Sequence, residues 1–96
     1  MNYKTKRWKE KRTQILKRDK YLCRESLRYG KKVEADTVHH IYPADEYPNL
    51  AFKNENLISL CRSVHDKMHD RRTNKLTSLG KKLQKRIPRP LIKEQI

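Results

Sequence analysis

All four histidines of this 96-residue chain lie between positions 39 and 69. His39 and His40 are adjacent, inside the sequence VHHIYP, whereas His65 and His69 are four positions apart. Only 34% of the residues are hydrophobic and 38% are charged, so any hydrophobic core must be thin. Such a chain is either partly disordered or stabilised by something besides its core. A metal ion held by the histidines is the stabilising element most readily available.

The chain is strongly basic, with 25 Lys and Arg against 11 Asp and Glu and a formal net charge of +14. This charge favours a polyanionic partner, and nucleic acid is the one expected. Charge alone does not separate an enzyme from a ribosomal or histone-like binder. No segment resembles a signal peptide or a membrane span, so we expect a cytoplasmic protein. In that reducing compartment Cys23 and Cys61 are not expected to form a disulfide.

The N-terminal part of the chain predicts a basic amphipathic helix. It covers about residues 5–20, which are rich in helix-forming residues and place Trp8, Ile15 and Leu16 roughly on one face. We interpret Trp8 and Leu16 as core anchors. The surrounding lysines and arginines fit either a solvated face or a surface for nucleic acid.

Two strands and a helix are predicted in the middle of the chain. Residues 33–42 end in β-branched and aromatic side chains before a proline, which favours a strand. Residues 57–61, LISLC, predict a second strand. Ser63 and Asp66 resemble a capping box, which predicts a helix over about 64–72.

A second, weaker amphipathic helix is predicted in the C-terminal region, about residues 75–96. Its apolar residues recur at helical spacing, are interrupted by Gly80, and are followed by two prolines that end the helix before a loose tail. The residues concerned are Leu76, Leu79, Leu83 and Ile87, then Pro88 and Pro90.

The histidine spacing predicts a metal site with a base beside it. On a helix, His65 and His69 lie one above the other on the same face, a common arrangement for binding a metal ion. His39, on a facing strand, is the candidate third ligand. His40 is its neighbour on that strand, so the two side chains diverge, and an unligated His40 can take a proton from water. A metal, a base and positive charge together indicate chemistry on a phosphodiester.

These motifs resemble those of the HNH endonucleases, which have a ββα-metal core. The matching segments are VHHI at 38–41, ENLISLC at 55–61 and HDKMH at 65–69. Asn56 lies sixteen positions after His40, and His65 lies nine after Asn56. This order and spacing are similar to those of the nuclease domains of DNA-cleaving colicins and of small phage-encoded HNH proteins.

The resemblance implies an α+β fold for a single nuclease domain spanning residues 1–96. Its core, about residues 36–74, would consist of two antiparallel strands and a helix. The N-terminal basic helix and the C-terminal basic helix and tail would flank this core.

The resemblance also implies a role for each residue of the constellation. His40 takes the place of the general base. Asn56 takes the place of the middle asparagine, which joins the loop to the strands and so orients the base. A purely structural interpretation is that its amide only holds the loop in place. The expected metal ligands are His39, His65 and His69. The candidates for binding phosphate are Arg62, Arg71 and Arg72.

The implied reaction is metal-dependent hydrolysis of DNA to 5′-phosphate and 3′-hydroxyl ends, and a single site would nick one strand. Imidazole ligands favour zinc, nickel or cobalt, whereas the family commonly works with magnesium or manganese. We therefore expect one divalent ion, Mg²⁺, Mn²⁺, Ni²⁺ or Zn²⁺. The expected partners are double-stranded DNA and, for a phage protein in the host cytoplasm, terminase or other packaging proteins. The protein would be a monomer or a weak dimer.

The cysteines depart from the pattern of many HNH proteins, which hold a structural zinc with two CxxC pairs. Here the pairs would be Cys23 with Ser26 and Cys61 with Val64, so only one cysteine of each remains. A four-thiolate site cannot form, and no structural zinc is expected. The two cysteines are expected to approach each other as small buried residues.

Two other classes of function compete with a nuclease. One is a non-catalytic, metal-stabilised module that binds nucleic acid, and the other is a small basic structural protein with unrelated histidines. A binding module needs metal ligands but has no use for an unligated histidine beside them, so His40 distinguishes it from an enzyme.

Overall fold

A computed structural model describes residues 1–73 and 75–87. The fold is α+β, as predicted, with a two-stranded antiparallel sheet and four α-helices in this part of the chain. In chain order the elements are α1 (Lys6–Arg18), α2 (Arg24–Arg28), β1 (Thr37–His40), β2 (Leu57–Leu60), α3 (Arg62–Asp66) and α4 (Ser78–Arg86). Pro88, Pro90 and the predicted tail lie outside the described residues. None of the described helices has the length and apolarity needed to span a lipid bilayer.

The two strands place the adjacent histidines at the centre of the molecule. In the antiparallel register His39 lies opposite Ile58, and His40 lies opposite Leu57. All four residues of β2 are buried, as the apolar run LISLC predicted. Because neighbouring side chains of a strand point to opposite faces, His39 and His40 enter different surroundings.

The predicted N-terminal helix is present as α1 and packs against both strands. Its side chains Trp8, Ile15 and Leu16 are buried, which confirms the predicted apolar face. Thr5 caps the helix, because its hydroxyl accepts a hydrogen bond from the backbone N–H of Trp8 at 3.2 Å. Helix α1 is therefore part of the core, although most of its surface is basic.

A buried carboxylate fixes the C-terminal end of α1 to β2. The Asp19 side chain accepts hydrogen bonds from Arg18 and Arg24, each at 2.9 Å, and from the backbone N–H of Ser59 at 3.1 Å. Burial alone would raise the pKa of Asp19, but the hydrogen bonds from Arg18 and Ser59 outweigh it and hold the pKa below its ordinary value. The charged form of Asp19 thus stabilises the fold.

The predicted helix over about 64–72, capped by Ser63, is wrong in its limits and its cap. Helix α3 begins at Arg62, its N-cap is Cys61, and no side chain makes the capping hydrogen bond. It ends at Asp66 because the following residues pair with a later segment instead of continuing the helix. The backbone of Asp70 donates to Lys75, and that of Thr77 donates to Met68.

This short hairpin leads directly into α4. Leu76, predicted to begin the helical pattern, lies before the helix and forms a β-bridge with His69. Helix α4 begins at Ser78, and its N-cap Thr77 accepts a hydrogen bond from Gly80 N–H. Gly80 is required by close packing, because a Cβ atom there would lie only 2.7 Å from the carbonyl oxygen of Met68.

Candidate active site

The four histidines line one open cleft, between the sheet, α1, α3 and the hairpin that follows α3. Strand β1 supplies His39 and His40, α3 supplies His65, and the hairpin supplies His69. The structure thus brings together side chains from three separate segments. Three of these histidines form one cluster, and His40 lies apart from it.

The cluster consists of His39, His65 and His69, the three residues predicted to bind metal. One ring nitrogen of each lies within 4.8 Å of those of the other two. The centroid of the His39 ring lies 5.2 Å from the centroid of the His65 ring and 5.3 Å from the centroid of the His69 ring. Among the described residues this is the one group of three or more metal-binding side chains.

His39 carries the strongest evidence for a ligand. Its side chain is 1% exposed, and neither of its ring nitrogens has a hydrogen-bond partner. Buried polar atoms are rarely left without a partner, because each one costs about 1–3 kcal/mol. A metal ion bound to one of these nitrogens would supply the missing partner, so the residues present fit a divalent cation.

The electrostatics of the cluster keep all three imidazoles neutral, the form that binds metal. Burial, followed by the neighbouring His65 and His69, lowers the pKa of His39 well below its ordinary value. Burial also lowers the pKa of His65, although the charges of Asp66 and Asp36 act in the opposite direction. Burial lowers the pKa of His69 as well.

His69 is positioned by a hairpin and not by the helix that its spacing from His65 predicted. It follows the end of α3 and does not share a helix face with His65. Its position is set by the β-bridge to Leu76, which turns the chain back beside the end of α3. The spacing of four residues predicted the neighbourhood of the two histidines but not the backbone that creates it.

His40 is held by two contacts that leave one ring nitrogen available. Its Nε2 lies 3.0 Å from the carbonyl oxygen of Ala51. A carbonyl can only accept, so Nε2 carries the hydrogen and Nδ1 keeps a lone pair. The ring is stacked on Trp8, with centroids 5.0 Å apart. Burial lowers the pKa of His40 below its ordinary value, although the bond to Ala51 raises it, and the neutral ring can accept a proton.

Asn56 organises the loop behind this histidine. Its side chain is fully buried, accepts from Tyr42 N–H at 2.8 Å, and donates to the carbonyls of Tyr42 and Leu50 at 3.0 and 3.1 Å. These bonds join the end of β1 to the loop that carries Ala51, the partner of His40. The hydrogen bonds of Asn56 go to backbone groups and not to the His40 ring, so its arrangement is that of a positioning residue.

The arginines selected from the sequence lie away from the cleft lining. Arg62, Arg71 and Arg72 are exposed, and Arg71 pairs with Asp66 at 3.7 Å. Two other cations, Arg12 of α1 and Lys75 of the hairpin, line the cleft instead. Sequence analysis missed both, because only the packing of α1 and the hairpin brings them there. The one local signal is that Trp8 and Arg12 lie one helical turn apart.

The two cysteines lie side by side, as expected, and both thiols are free. They belong to the buried core around the sheet. Burial raises the pKa of the Cys61 thiol, but hydrogen bonds from Ser63, the Val64 N–H, Cys23 and Ser26 outweigh this and lower it. The cysteines therefore contribute to the packing of the core.

Comparisons with known proteins identify the family of this chain. The sequence profile of HNH endonucleases matches residues 23–71. Among solved structures, the chain is similar to the HNH endonuclease of the deep-sea thermophilic bacteriophage GVE2, crystallised with a manganese ion. The identity is 33%, the TM-score is 0.64, and the match covers 67% of this chain and 70% of that one. A search of curated proteins finds no match. The chain therefore belongs to the HNH endonuclease family and is a nuclease.

Proposed function

We propose that this nuclease hydrolyses phosphodiester bonds of double-stranded DNA with one divalent metal ion. The proposal rests on the different arrangements of the four histidines in the cleft. Three neutral histidines converge on one point, while the fourth is held separately with a free lone pair. A metal-stabilised binding module would need the first feature but not the second.

His40 is the proposed general base. Its Nδ1 takes a proton from a water molecule, and the resulting hydroxide attacks phosphorus in line with the leaving 3′ oxygen. The Ala51 carbonyl favours this role, because it holds the proton on Nε2 and becomes a stronger partner when the ring is positively charged. The Trp8 ring prevents His40 from turning away from the cleft. The products are a 5′-phosphate and a 3′-hydroxyl end.

His39, His65 and His69 are the proposed metal ligands. A divalent ion held there supplies positive charge to the phosphate oxygens as negative charge develops on them. Three imidazoles without a carboxylate favour Ni²⁺ or Zn²⁺ over Mg²⁺ and Mn²⁺ as the ion bound most tightly. The similar phage enzyme was crystallised with manganese, so Mn²⁺ is included among the ions proposed to activate this nuclease.

One site of this kind cuts one strand, so a monomer is proposed to act as a nickase. The chain is similar to a phage enzyme, which supports a phage setting. The role proposed in that setting is nicking that assists genome packaging in the host cytoplasm. A terminase or another packaging protein is the partner proposed to direct the cut.

The test is incubation of the purified protein with supercoiled plasmid and Mg²⁺, Mn²⁺, Ni²⁺ or Zn²⁺ in turn. The proposal predicts relaxed circles with at least one metal, no cutting with a chelator, and ends that a ligase can reseal. Resealing requires a 5′-phosphate beside a 3′-hydroxyl, so it checks the products directly. Intact plasmid with all four metals would contradict the proposal.

A further inference from the structure

We propose that α1 completes the active site and that its Arg12 binds the phosphate under attack. This inference rests on the proposed function and adds a residue to it. Helix α1, Lys6–Arg18, precedes the segment matched by the family profile, residues 23–71. The family resemblance therefore assigns no role to α1, and its proposed role follows from the contacts that it makes in this chain.

The first observation is that one face of α1 forms a wall of the histidine cleft. Trp8 and Arg12, one helical turn apart, both line the cleft. The indole of Trp8 is stacked on the His40 ring, so the distance from this helix to the base is fixed by direct contact. Arg12 is thus held beside the residues that the reaction needs.

The second observation is the tether on the Arg12 side chain. Its Nη2 donates a hydrogen bond to the carbonyl oxygen of Asp36, immediately before β1. This bond uses one edge of the guanidinium, which has several further N–H donors. The contact therefore fixes the direction of the side chain without using up its capacity to bind an anion.

The third observation is that no carboxylate forms an ion pair with Arg12 in the described part of the chain, residues 1–73 and 75–87. Four other arginines pair with buried acids and serve the fold: Arg18 and Arg24 pair with Asp19, and Arg28 and Arg86 pair with Glu25. Arg12 is partly buried in a cleft and retains a charge that no acid of the described chain neutralises.

The charges of the cleft make this cation necessary. Of its described lining residues, two are permanent cations, Arg12 and Lys75, whereas Asp36, Asp45 and Glu46 are acidic. The large positive charge of the protein therefore does not extend into the cleft itself. A phosphate in the cleft is repelled by these acids, so its binding needs a cation. A planar guanidinium suits this role, because it can donate two parallel N–H bonds to two non-bridging phosphate oxygens.

The test compares Arg12 variants in single-turnover nicking of plasmid DNA, with the activating metal and protein in excess. Arg12→Gln removes the charge and keeps an N–H donor toward Asp36. Arg12→Lys keeps the charge but lacks the two parallel N–H donors of the guanidinium. Lys9→Ala is the matched control, because it removes one charge from an exposed position of the same helix. Thermal unfolding and metal binding are measured for every variant, and DNA affinity is measured separately.

We expect Arg12→Gln to cut about 100-fold or more slowly at saturating DNA, because loss of one donor to a developing oxyanion has an effect of this size. Its DNA and metal affinities should change by less than about threefold, and Arg12→Lys should recover part of the rate. Lys9→Ala should cut at the wild-type rate. If Arg12→Gln cuts as fast as Lys9→Ala, or loses rate only together with folding or metal affinity, the inference is overturned while the proposed function stands. An inactive wild-type protein would overturn both.

Discussion

The indole of Trp8 and the imidazole of His40 are stacked, with centroids 5.0 Å apart and planes inclined by 21°. The two residues are 32 positions apart in the sequence, and they belong to α1 and β1. The contact joins the hydrophobic core to the proposed chemistry, because the same indole is 4% exposed and anchors α1. The N-terminal helix therefore both stabilises the fold and holds the base.

Replacing Trp8 tests this positioning role. Trp8→Phe keeps an aromatic ring against His40, whereas Trp8→Leu keeps apolar volume without a flat ring. We expect Trp8→Leu to cut about tenfold more slowly at saturating DNA, because a misplaced catalytic group costs rate even when substrate still binds. Trp8→Phe should stay within about threefold of wild type. Equal rates for the two variants, at equal stability, would show that the stacking has no role in catalysis.

Metal binding should depend on three of the four histidines. A metal at one hundred times its dissociation constant stabilises the folded protein by about 2.7 kcal/mol, so adding Mn²⁺, Ni²⁺ or Zn²⁺ should raise the melting temperature of wild type. Alanine at His39, His65 or His69 should remove most of this increase. His40→Ala is the control and should keep it. An increase lost in His40→Ala, or retained in His39→Ala, would contradict the assignment of ligands.

Asn56 is expected to matter mainly for stability. Asn56→Ala leaves the backbone N–H and carbonyl of Tyr42 and the carbonyl of Leu50 without their buried partner. We expect a loss of about 3 kcal/mol in the free energy of unfolding, measured with urea. Asn54→Ala is a nearby control, because its side chain makes one hydrogen bond, from Lys11, and should cost less than about 1 kcal/mol. Similar losses in both variants would argue against this view of Asn56.

The sequence predicts the parts of this site that depend on local pattern. The apolar run LISLC predicts β2, and Trp8, Ile15 and Leu16 predict the buried face of α1. These predictions succeed because side-chain periodicity reports directly on which face is buried. The histidine cluster was also identified, but the helix through His69 was wrong, since a spacing of four residues also fits a helix end followed by a hairpin.

The contacts between distant segments could not be predicted. Apart from its place one helical turn after Trp8, nothing in the sequence distinguishes Arg12 from the other lysines and arginines of α1, and the packing of that helix brings it to the cleft. Arg62, Arg71 and Arg72 were selected because they are near the histidines in sequence, yet they lie outside the cleft lining. The C-terminal end of α3 was misjudged because the backbone pairing beyond it determines where the helix stops.

Stability should depend on pH through Asp19. Its pKa is lowered in the folded protein, so its contribution is complete above the unfolded-state pKa of about 3.9 and is lost as pH falls through the folded-state pKa. Asp19→Asn should therefore cost about 2 kcal/mol at pH 7, and the difference from wild type should shrink below about pH 4. Urea unfolding between pH 3 and pH 7 measures this. Glu10→Gln, an exposed acid of α1, is the control and should change little. A cost for Asp19→Asn that is the same at every pH would show that the charge is not responsible.

His40 is proposed to be a base and not a metal ligand, and its replacement by alanine separates these two roles. Wild type and His40→Ala are compared for single-turnover plasmid nicking at equal metal occupancy and equal DNA occupancy. General-base catalysis contributes about 10²–10⁴-fold, so His40→Ala should lose at least about 100-fold in rate while binding metal and DNA as wild type does. A His40→Ala protein that nicks within a few-fold of wild type, or that has lost the metal, would contradict the account.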